Sequence, residues 1–471
     1  MRRALKIVAV LALGLGWVVS GDEGFEVLTP ELVAKVQKVQ KMAVESEVAW
    51  DFVESLTVEV GSRPAGSEGD KRAVVWAQNR LRALGFQNVR AEPVEVPHWV
   101  RGHAEGEIVH PFPHAMVVAA LGGSIGTPEG GIEAEVWEVP SLEDLEKAEP
   151  AAVEGKIIFI NRRMRRTQSG AGYGEAVVGR GRGAAVAAGL GAVAVVIRSI
   201  GTDNDRIAHT GGMRYAEGVR RIPAAALSNP DADLLAAALQ RGPVRFRLEL
   251  GCRDLPPEMS ANVIGEIVGS EKPEEIVLLA AHLDSWDLGL GAVDDGSGCA
   301  IVADAARLVG QLGTPRRTLR VLLAANEEFG LSGARAYAEK YAATLDQHVV
   351  AMEADFGAGR VWAYRSKVGP SGEPLARDLA KVLAPLDIEY QDQPARGGAD
   401  LIPLGPARVP LFDLAQDGTL YFDIHHTIND TLDKVDPEAL RQNVAAYATA
   451  ALVASEWSGD LGRAATPDEA N

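Results

Sequence analysis

Cysteine is scarce in this sequence. Only Cys252 and Cys299 occur among its 471 residues. Two cysteines cannot form a disulfide framework, and they cannot supply the four thiolates of a cysteine-based metal cluster. Any bound metal ion must therefore be held by histidine, aspartate and glutamate.

Positive charge is also in short supply. The chain has 47 lysines and arginines against 65 aspartates and glutamates, which gives a formal net charge of -18. An acidic surface does not attract phosphate groups, so we expect neither nucleic acid nor an anionic membrane as the main partner. Some of the many carboxylates are candidate metal ligands.

Long apolar runs are absent beyond the first twenty residues. There, Arg2, Arg3 and Lys6 precede an apolar run over residues 7–19, and Ser20 follows it. This order predicts a secretory signal peptide over residues 1–20. An uncleaved anchor is the alternative, but the run is shorter than the ~20 residues that usually span a bilayer. We therefore expect a secreted or periplasmic protein that is free of the membrane after signal cleavage.

The rest of the chain divides by its texture. With 47% hydrophobic and 24% charged residues, it is typical of a globular protein with two or three cores. Apolar residues at helical spacing from Leu32 to Leu56 predict a helical segment within residues 21–57. A main domain then follows in two parts, residues 58–111 and 256–471, on either side of an inserted domain.

The predicted insert covers residues 112–255. It has Gly-rich loops, strands of valine and isoleucine at 155–160 and 192–197, and a small-residue helix near 183–189. Its only histidines are His114 and His209, and it has no dense cluster of carboxylates. We therefore expect the insert to shape or cover a site rather than to perform chemistry.

After Ser260, apolar strands and helices alternate regularly. This pattern predicts an α/β domain whose largely parallel sheet is sandwiched by helices. We predict strands at 276–281, 319–325, 349–354 and 409–414, and helices at 297–312, 332–345 and 373–383. Ligands of such folds lie beyond the carboxyl ends of the strands.

The first of these strands ends in His282 and Asp284. Alternation puts both side chains on the same side of the chain. The imidazole could bind a metal ion while the carboxylate supports it from behind. Alone, a His-x-Asp at a strand end is more often purely structural.

Two further acidic pairs follow in the chain. Asp294 and Asp295 lie in a Gly-rich turn before a helix, where capping by Asp295 is the simple alternative. Capping does not account for Asp294, whose two oxygens could bridge two cations. Glu327 and Glu328 end an apolar strand, where they repel each other unless a cation or a proton neutralises them. One could bind metal while the other acts as a general base, and a solvated loop is the alternative.

Asp355 and the pair His425 and His426 complete a series of polar groups at successive strand ends and turns. Coincidence explains five such groups in one domain poorly. Two cations ~3.5–4 Å apart would activate a water and polarise a carbonyl group. One histidine and one carboxylate for each cation, with a shared carboxylate, suit Zn²⁺, although Mn²⁺ or Co²⁺ would also bind.

With these motifs, the chain resembles the co-catalytic di-zinc exopeptidases of the zinc aminopeptidase superfamily, and among them the carboxypeptidase Q-like members. The fold expected from this resemblance is the zinc exopeptidase-like, or phosphorylase/hydrolase-like, α/β fold. The resemblance covers nearly the whole mature chain, and its most specific stretches are 96–102, 124–128, 191–199, 208–211 and 282–287.

The resemblance implies roles for the residues of the site. Asp294 would bridge the two zinc ions, and its peptide bond to Asp295 would be cis. Glu327 would be the general base, and Asp284 would orient His282. The remaining implied metal ligands are His282 and Asp355 for one zinc ion, and Glu328 and His426 for the other.

The resemblance also implies a set of surrounding features. His425 would support the site, and Asp400 and Tyr421 would lie in loops that meet a small peptide substrate. The insert would be a protease-associated domain that borders the cleft and can assist formation of a homodimer. Two stretches, 326–330 and 425–431, depart from the usual pattern, which alters the rim of the site and puts the substrate preference in doubt but removes no implied ligand or base.

Two other functions remain open at this point. A glutaminyl cyclase, which performs acyl transfer on a related scaffold, would use a single metal ion. A receptor-like binding module would lack metal ligands, and none is missing from the sequence. The expected function is hydrolysis of dipeptides or short peptides with free termini. The alternative within the same family is an aminopeptidase.

Overall fold

A computed structural model describes residues 24–464 of the chain. The predicted signal peptide over residues 1–20 lies outside the described residues. Within residues 24–464, no helix is both long and apolar enough to cross a membrane.

The described part of the chain contains two mixed eight-stranded sheets. In chain order the strands are β1 (Gln87–Val100), β2 (Ala104–His110), β3 (His114–Met116), β4 (Val118–Ala120), β5 (Ile132–Val139), β6 (Ile157–Ile160), β7 (Ala194–Arg198), β8 (Ala224–Leu227), β9 (Arg245–Leu250), β10 (Arg253–Ile267), β11 (Lys272–His282), β12 (Arg317–Ala324), β13 (His348–Glu353), β14 (Val361–Lys367), β15 (Glu389–Pro394) and β16 (Leu411–Gln416).

The first sheet has the order β1-β10-β12-β11-β13-β16-β14-β15. Its centre, β12-β11-β13-β16, is parallel, and β1 and β10 pair antiparallel with their neighbours. Strand β14 is antiparallel to β16 but parallel to β15. The predicted α/β class is confirmed, and all four predicted strands belong to the parallel centre. The carboxyl ends of these four strands meet along one edge of the sheet.

Helices cover both faces of the first sheet. In chain order the helices are α1 (Pro30–Val44), α2 (Val48–Ser55), α3 (Glu68–Ala83), α4 (Leu142–Glu146), α5 (Pro150–Val153), α6 (Ala171–Gly189), α7 (Asn229–Leu239), α8 (Ser297–Leu312), α9 (Ser332–Lys340), α10 (Glu373–Leu383) and α11 (Pro437–Glu456). Odd-numbered residues of β11 pack in one core with α8 and α11, and even-numbered residues pack in another with α9. A strand buried on both faces needs an unbroken apolar run, which explains the composition of residues 276–281.

The second sheet has the order β3-β2-β9-β5-β6-β7-β8-β4 and uses residues 104–250. It does not keep to the predicted limits of 112 and 255. Strand β2 belongs to it because β2 pairs with β9, and β10 already belongs to the first sheet at Arg253 because it pairs with β1. We call residues 104–250 the insert unit.

Two predicted helices differ in length from those observed. The small-residue helix predicted near 183–189 begins at Ala171. Its first half is rich in glycine and has no apolar periodicity, so the sequence pattern did not predict it. The helix predicted over 332–345 ends at Lys340, and a separate short turn follows over Ala342–Gln347.

Candidate metal centre

His282 is the last residue of β11, and neighbouring residues contact its backbone and its ring. Its backbone N–H donates to Asp295 Oδ2 (3.0 Å), and its Nδ1 lies 3.1 Å from the carbonyl oxygen of Asp284 and 3.5 Å from Oδ1 of the same residue. The other ring nitrogen, Nε2, lies 3.2 Å from Asp294 Oδ1 and 3.4 Å from Asp355 Oδ1. Three potential metal ligands therefore converge at this point, and their ligand atoms lie within 4.8 Å of one another.

Asp294 lies between the two histidines of the site. Its Oδ1 faces His282 Nε2, and its Oδ2 lies 3.3 Å from His426 Nε2. The peptide bond to Asp295 is cis, in agreement with the resemblance. A carboxylate that offers one oxygen to each side is suited to bridge two cations.

Two neighbouring side chains hold the turn that carries Asp294. The carboxylate of Asp430 accepts hydrogen bonds from the backbone N–H groups of Val293 (2.7 Å) and Asp294 (3.3 Å). Arg63 is fully buried, and it donates from Nη2 to the carbonyl oxygen of Gly291 (2.8 Å). The turn is thus fixed by buried polar groups rather than by packing alone.

His426 and Glu328 form the second group around Asp294. His426 Nε2 lies 3.1 Å from Glu328 Oε2. His425 stacks on His426, with ring centroids 3.5 Å apart, and its Nε2 lies 3.7 Å from Asp294 Oδ2. Ligand atoms of Asp294, His425 and His426 also converge within 4.8 Å. Glu328 and His425 therefore both lie close enough to Asp294 and His426 to offer a third ligand.

The buried oxygens of this cluster fit cations. Asp294 Oδ2 and Glu328 Oε1 have no hydrogen-bond partner among residues 24–464. Buried carboxylates without partners are costly unless a positive charge neutralises them. Imidazole nitrogens and carboxylate oxygens are the donors that Zn²⁺ accepts in the absence of thiolates.

The pKa values of Asp294 and Glu327 are shifted in opposite directions. Burial opposes ionisation of Asp294, but the adjacent imidazoles of His282 and His426 hold its pKa well below the usual range. Burial, and then the charge of Asp355, raise the pKa of Glu327 well above the usual range. Burial alone would lower the pKa of His282, yet Asp355 and the other adjacent carboxylates raise it well above the usual value.

Asp284 connects the two sides of the site. Its carboxylate accepts hydrogen bonds from the backbone N–H groups of Glu327 (2.9 Å) and Glu328 (3.4 Å). It therefore fixes the acidic pair after β12 as well as the ring of His282.

A cavity of about 800 Å³ opens onto the site. The cavity is lined by the carboxylates of Asp294, Asp355, Glu327 and Glu328 and by the imidazoles of His425 and His426. Tyr421, Phe329 and three arginines of the insert unit complete its wall. A second cavity of about 400 Å³ meets it at Asp355, Phe356 and Ala399. The structure thus brings Tyr421, Glu327 and four of the five predicted metal ligands together at one cleft, while His282 lies behind Asp294 and Asp355 and does not line it.

Asp400, which was predicted to meet substrate, is not among the residues that line either cavity. It is 2% exposed, and burial raises its pKa to about 8. The carboxylate of Glu353 accepts hydrogen bonds from the backbone N–H groups of Asp400 (3.2 Å) and Leu401 (3.1 Å). These bonds draw the turn inward, so that Ala399 rather than Asp400 faces the cleft.

Sequence reasoning missed two groups from the insert unit that border the site. Arg180 lines the cavity and donates from Nη2 to the Tyr173 hydroxyl (2.6 Å). His209 and Thr210 contact the backbone of His425 and His426. His209 and Thr210 are more than 200 residues away from His425 and His426 in the chain, so no local pattern could reveal these contacts.

Comparison with known proteins agrees with this geometry. The model of Peptidase family M28 matches residues 262–451. Carboxypeptidase Q of Mus musculus is 34% identical and covers 98% of both chains. The crystal structure of a peptidase M28 precursor from Shewanella amazonensis has 49% identity, a TM-score of 0.91, and covers 93% of this chain and 99% of its own. A zinc aminopeptidase of Bacillus subtilis shares the fold, with a TM-score of 0.63 at 20% identity over 89% of this chain and 97% of its own.

An α/β sheet with histidines and carboxylates gathered beyond its parallel strands, in a chain so similar to these proteins, defines a metallo-exopeptidase. The chain belongs to peptidase family M28. The family resemblance predicted from the motifs is therefore confirmed.

Proposed function

We propose that this protein is a di-zinc exopeptidase that hydrolyses dipeptides or short peptides with free termini. The position of Asp294 carries the proposal, since its two oxygens face His282 on one side and His426 on the other. His282 and Asp355 would hold one zinc ion, and Glu328 and His426 the second. Such a pair lowers the pKa of a bound water towards ~7 and polarises the carbonyl group under attack.

The side chains of the protein would perform the remaining work. Glu327 lines the cavity beside the two groups of ligands, where its carboxylate can take a proton from the attacking water and return it to the leaving amine. Asp284 keeps Glu327 in place through the backbone and His282 through its ring. Tyr421 is 8% exposed at the cavity wall, where it can contact the substrate.

The cavities support a small substrate. A space of about 800 Å³ with a side chamber of about 400 Å³ accommodates a dipeptide or a short peptide on the two sides of Asp355. We also infer that the mature enzyme acts outside the cytoplasm after loss of residues 1–20, and that the insert unit is a protease-associated domain.

The decisive experiment is a panel of free, N-blocked and C-blocked dipeptides and tripeptides, each assayed with and without a chelator. We expect cleavage of the free peptides, its loss with chelator, and its return when Zn²⁺ is added. Loss of cleavage on N-blocking alone identifies an aminopeptidase, and loss on C-blocking alone identifies a carboxypeptidase. Cleavage that chelator leaves unchanged would refute the di-zinc proposal, and a metal count of one with cyclisation of N-terminal glutamine would identify a glutaminyl cyclase.

A further inference from the structure

His209 is a buried histidine of the insert unit that stands outside the predicted site. Its side chain is fully shielded from solvent. It lies in the loop between β7 and β8, and the ring fits against Gly201, where a Cβ atom would come within 2.3 Å of it. The His209 ring therefore occupies space that is available only because residue 201 is a glycine.

Both ring nitrogens of His209 are engaged. Nδ1 lies 2.7 Å from the carbonyl oxygen of His425, and Nε2 lies 2.6 Å from Asp203 Oδ1. A carbonyl oxygen has no proton to give, so Nδ1–H must be the donor there. Asp203, which is 7% exposed, anchors the opposite side of the ring. We call these two residues the Asp203–His209 dyad.

Thr210, the next residue in the chain, contacts His426. The N–H of Thr210 donates to the carbonyl oxygen of His426 (3.0 Å), and the carbonyl oxygen of Thr210 lies 3.3 Å from His426 Nδ1. The ring and the backbone of His426 are thus both fixed from the insert unit. A second attachment lies just upstream, where the N–H of Thr202 donates to the carbonyl oxygen of Phe422 (2.9 Å).

The backbone of His426 needs such support. Its φ angle is +62°, in the left-handed region that side chains other than glycine disfavour. A local turn, closed by the hydrogen bond from the Thr427 N–H to the carbonyl oxygen of Ile424 (3.1 Å), contains His426, and the bonds from the insert unit hold this turn from outside. The same conformation directs Nε2 towards Glu328 and Asp294.

We propose that the Asp203–His209 dyad is a positioning device for the metal ligand His426, which makes the insert unit a structural part of the metal centre. This inference rests on the proposed function, because it takes His426 as a zinc ligand. It extends the sequence-based expectation that the insert shapes or covers a site rather than performs chemistry.

The test compares zinc binding by the full-length protein and by three single variants. His209→Ala removes the bond to His425, His209→Gln keeps an N–H donor of similar reach, and His348→Ala is the control. His348 is equally buried, at 1% exposure, but its ring bonds Tyr337 rather than the metal centre. Each protein is stripped with chelator, and zinc is titrated against a competing indicator while the bound metal is counted by mass spectrometry.

For His209→Ala we expect at least tenfold weaker binding of one zinc ion and unchanged binding of the other, as found when outer partners of metal ligands are lost. His209→Gln should lose less, and His348→Ala should bind both ions as the wild type does. A role confined to stability would lower the melting temperature of both alanine variants without separating the two zinc affinities. Folded His209→Ala with both wild-type affinities overturns the inference.

If His209→Ala fails to fold, Asp203→Asn and His209→Gln carry the test, with severalfold weaker binding of one zinc ion expected for each. Wild-type affinities for both ions in both variants then overturn the inference. Failure of the proposed function is distinguishable, because in that case the wild type itself would not bind two zinc ions or would not cleave peptides.

Discussion

Asp294 and Glu327 show how neighbouring carboxylates take different tasks. Asp294 has a histidine beside each oxygen and a backbone held by Asp430, a geometry that suits the proposed bridge between two cations. Glu327 lines the cavity, and the hydrogen bond from its backbone to Asp284 leaves its carboxylate directed at the substrate space. The two tasks can therefore be separated by substitution.

Glu327→Gln should keep both metal ions and lose activity by about 10²–10⁴-fold, because the amide cannot accept the proton of the attacking water. The measurement is kcat on a cleaved dipeptide together with the zinc content. Glu339→Gln, which neutralises an exposed acid on the following helix, should leave both values unchanged. Full activity in Glu327→Gln would exclude this residue as the base.

At the residue scale, the sequence reveals what local patterns carry. The motifs at strand ends and turns show which acids and histidines could bind metal. The choice of Glu328 over Glu327 and of His426 over His425 came from the family resemblance and not from the local pattern. Asp400 was expected at the substrate, but a backbone contact to Glu353 draws it inward, and such a contact leaves no trace in the sequence. The Asp203–His209 dyad escaped for the same reason.

At the scale of elements, the loop between β6 and α6 links the insert unit to the wall of the cleft. Arg166 in this loop donates to both carboxylate oxygens of Asp423 (2.6 and 2.9 Å). Gly170, at the start of α6, has φ +66°, and a Cβ atom there would come within 2.4 Å of the Phe356 ring and 2.8 Å of the Phe422 ring. Both rings line the main cavity, so the loop sets their positions.

Gly170→Ala should therefore raise KM severalfold and lower the free energy of unfolding by at least about 1 kcal/mol, through the left-handed backbone and the contact with the two rings. Peptidase kinetics and chemical denaturation measure the two effects. Gly174→Ala is the matched control in the same helix, since nothing lies within 4 Å of a Cβ atom there. It should leave KM unchanged and stabilise the helix by up to about 1 kcal/mol. Equal KM in both variants would show that the loop does not shape the cleft.

The elements themselves were predictable where burial makes a strong pattern. The parallel strands β11, β12, β13 and β16 are buried and read as apolar runs, and helices α8 and α10 have the predicted bounds. Strand β15 lies at the edge of the first sheet and is largely exposed, so its polar sequence gives no strand signal. The first residues of β10 are likewise exposed, which displaced the predicted boundary of the insert.

At the scale of the whole molecule, the metal centre concentrates negative charge in the interior of an acidic protein. Asp284, Asp294 and Asp295 are buried, and Asp355 and Glu328 lie partly buried beside them. The imidazoles of His282, His425 and His426 contact these carboxylates. Bound cations would relieve this repulsion, so the folded state and the metal should stabilise each other.

Removal of metal should lower the melting temperature of the protein. At a zinc concentration 1,000-fold above Kd, binding stabilises the folded state by about 4 kcal/mol. We expect chelator to reverse this gain in a thermal melt, and Zn²⁺, Mn²⁺ or Co²⁺ to restore it. Asp294→Asn, which removes the shared negative charge, should respond weakly to either treatment. A wild-type melting temperature that is the same with chelator and with zinc would contradict the prediction.

The antiparallel pairing of β1 with β10 also bears on how such a molecule could arise. Val100 at the end of β1 lies opposite Arg253 at the start of β10, so the chain leaves the first sheet and returns to it at paired residues. An ancestral hairpin could accept a foreign folding unit at such a junction without any change in strand register. Once His209 bonded the backbone of His425 and Thr210 bonded that of His426, however, deletion of the inserted unit would have removed the support of both histidines, so the insertion would have become difficult to reverse.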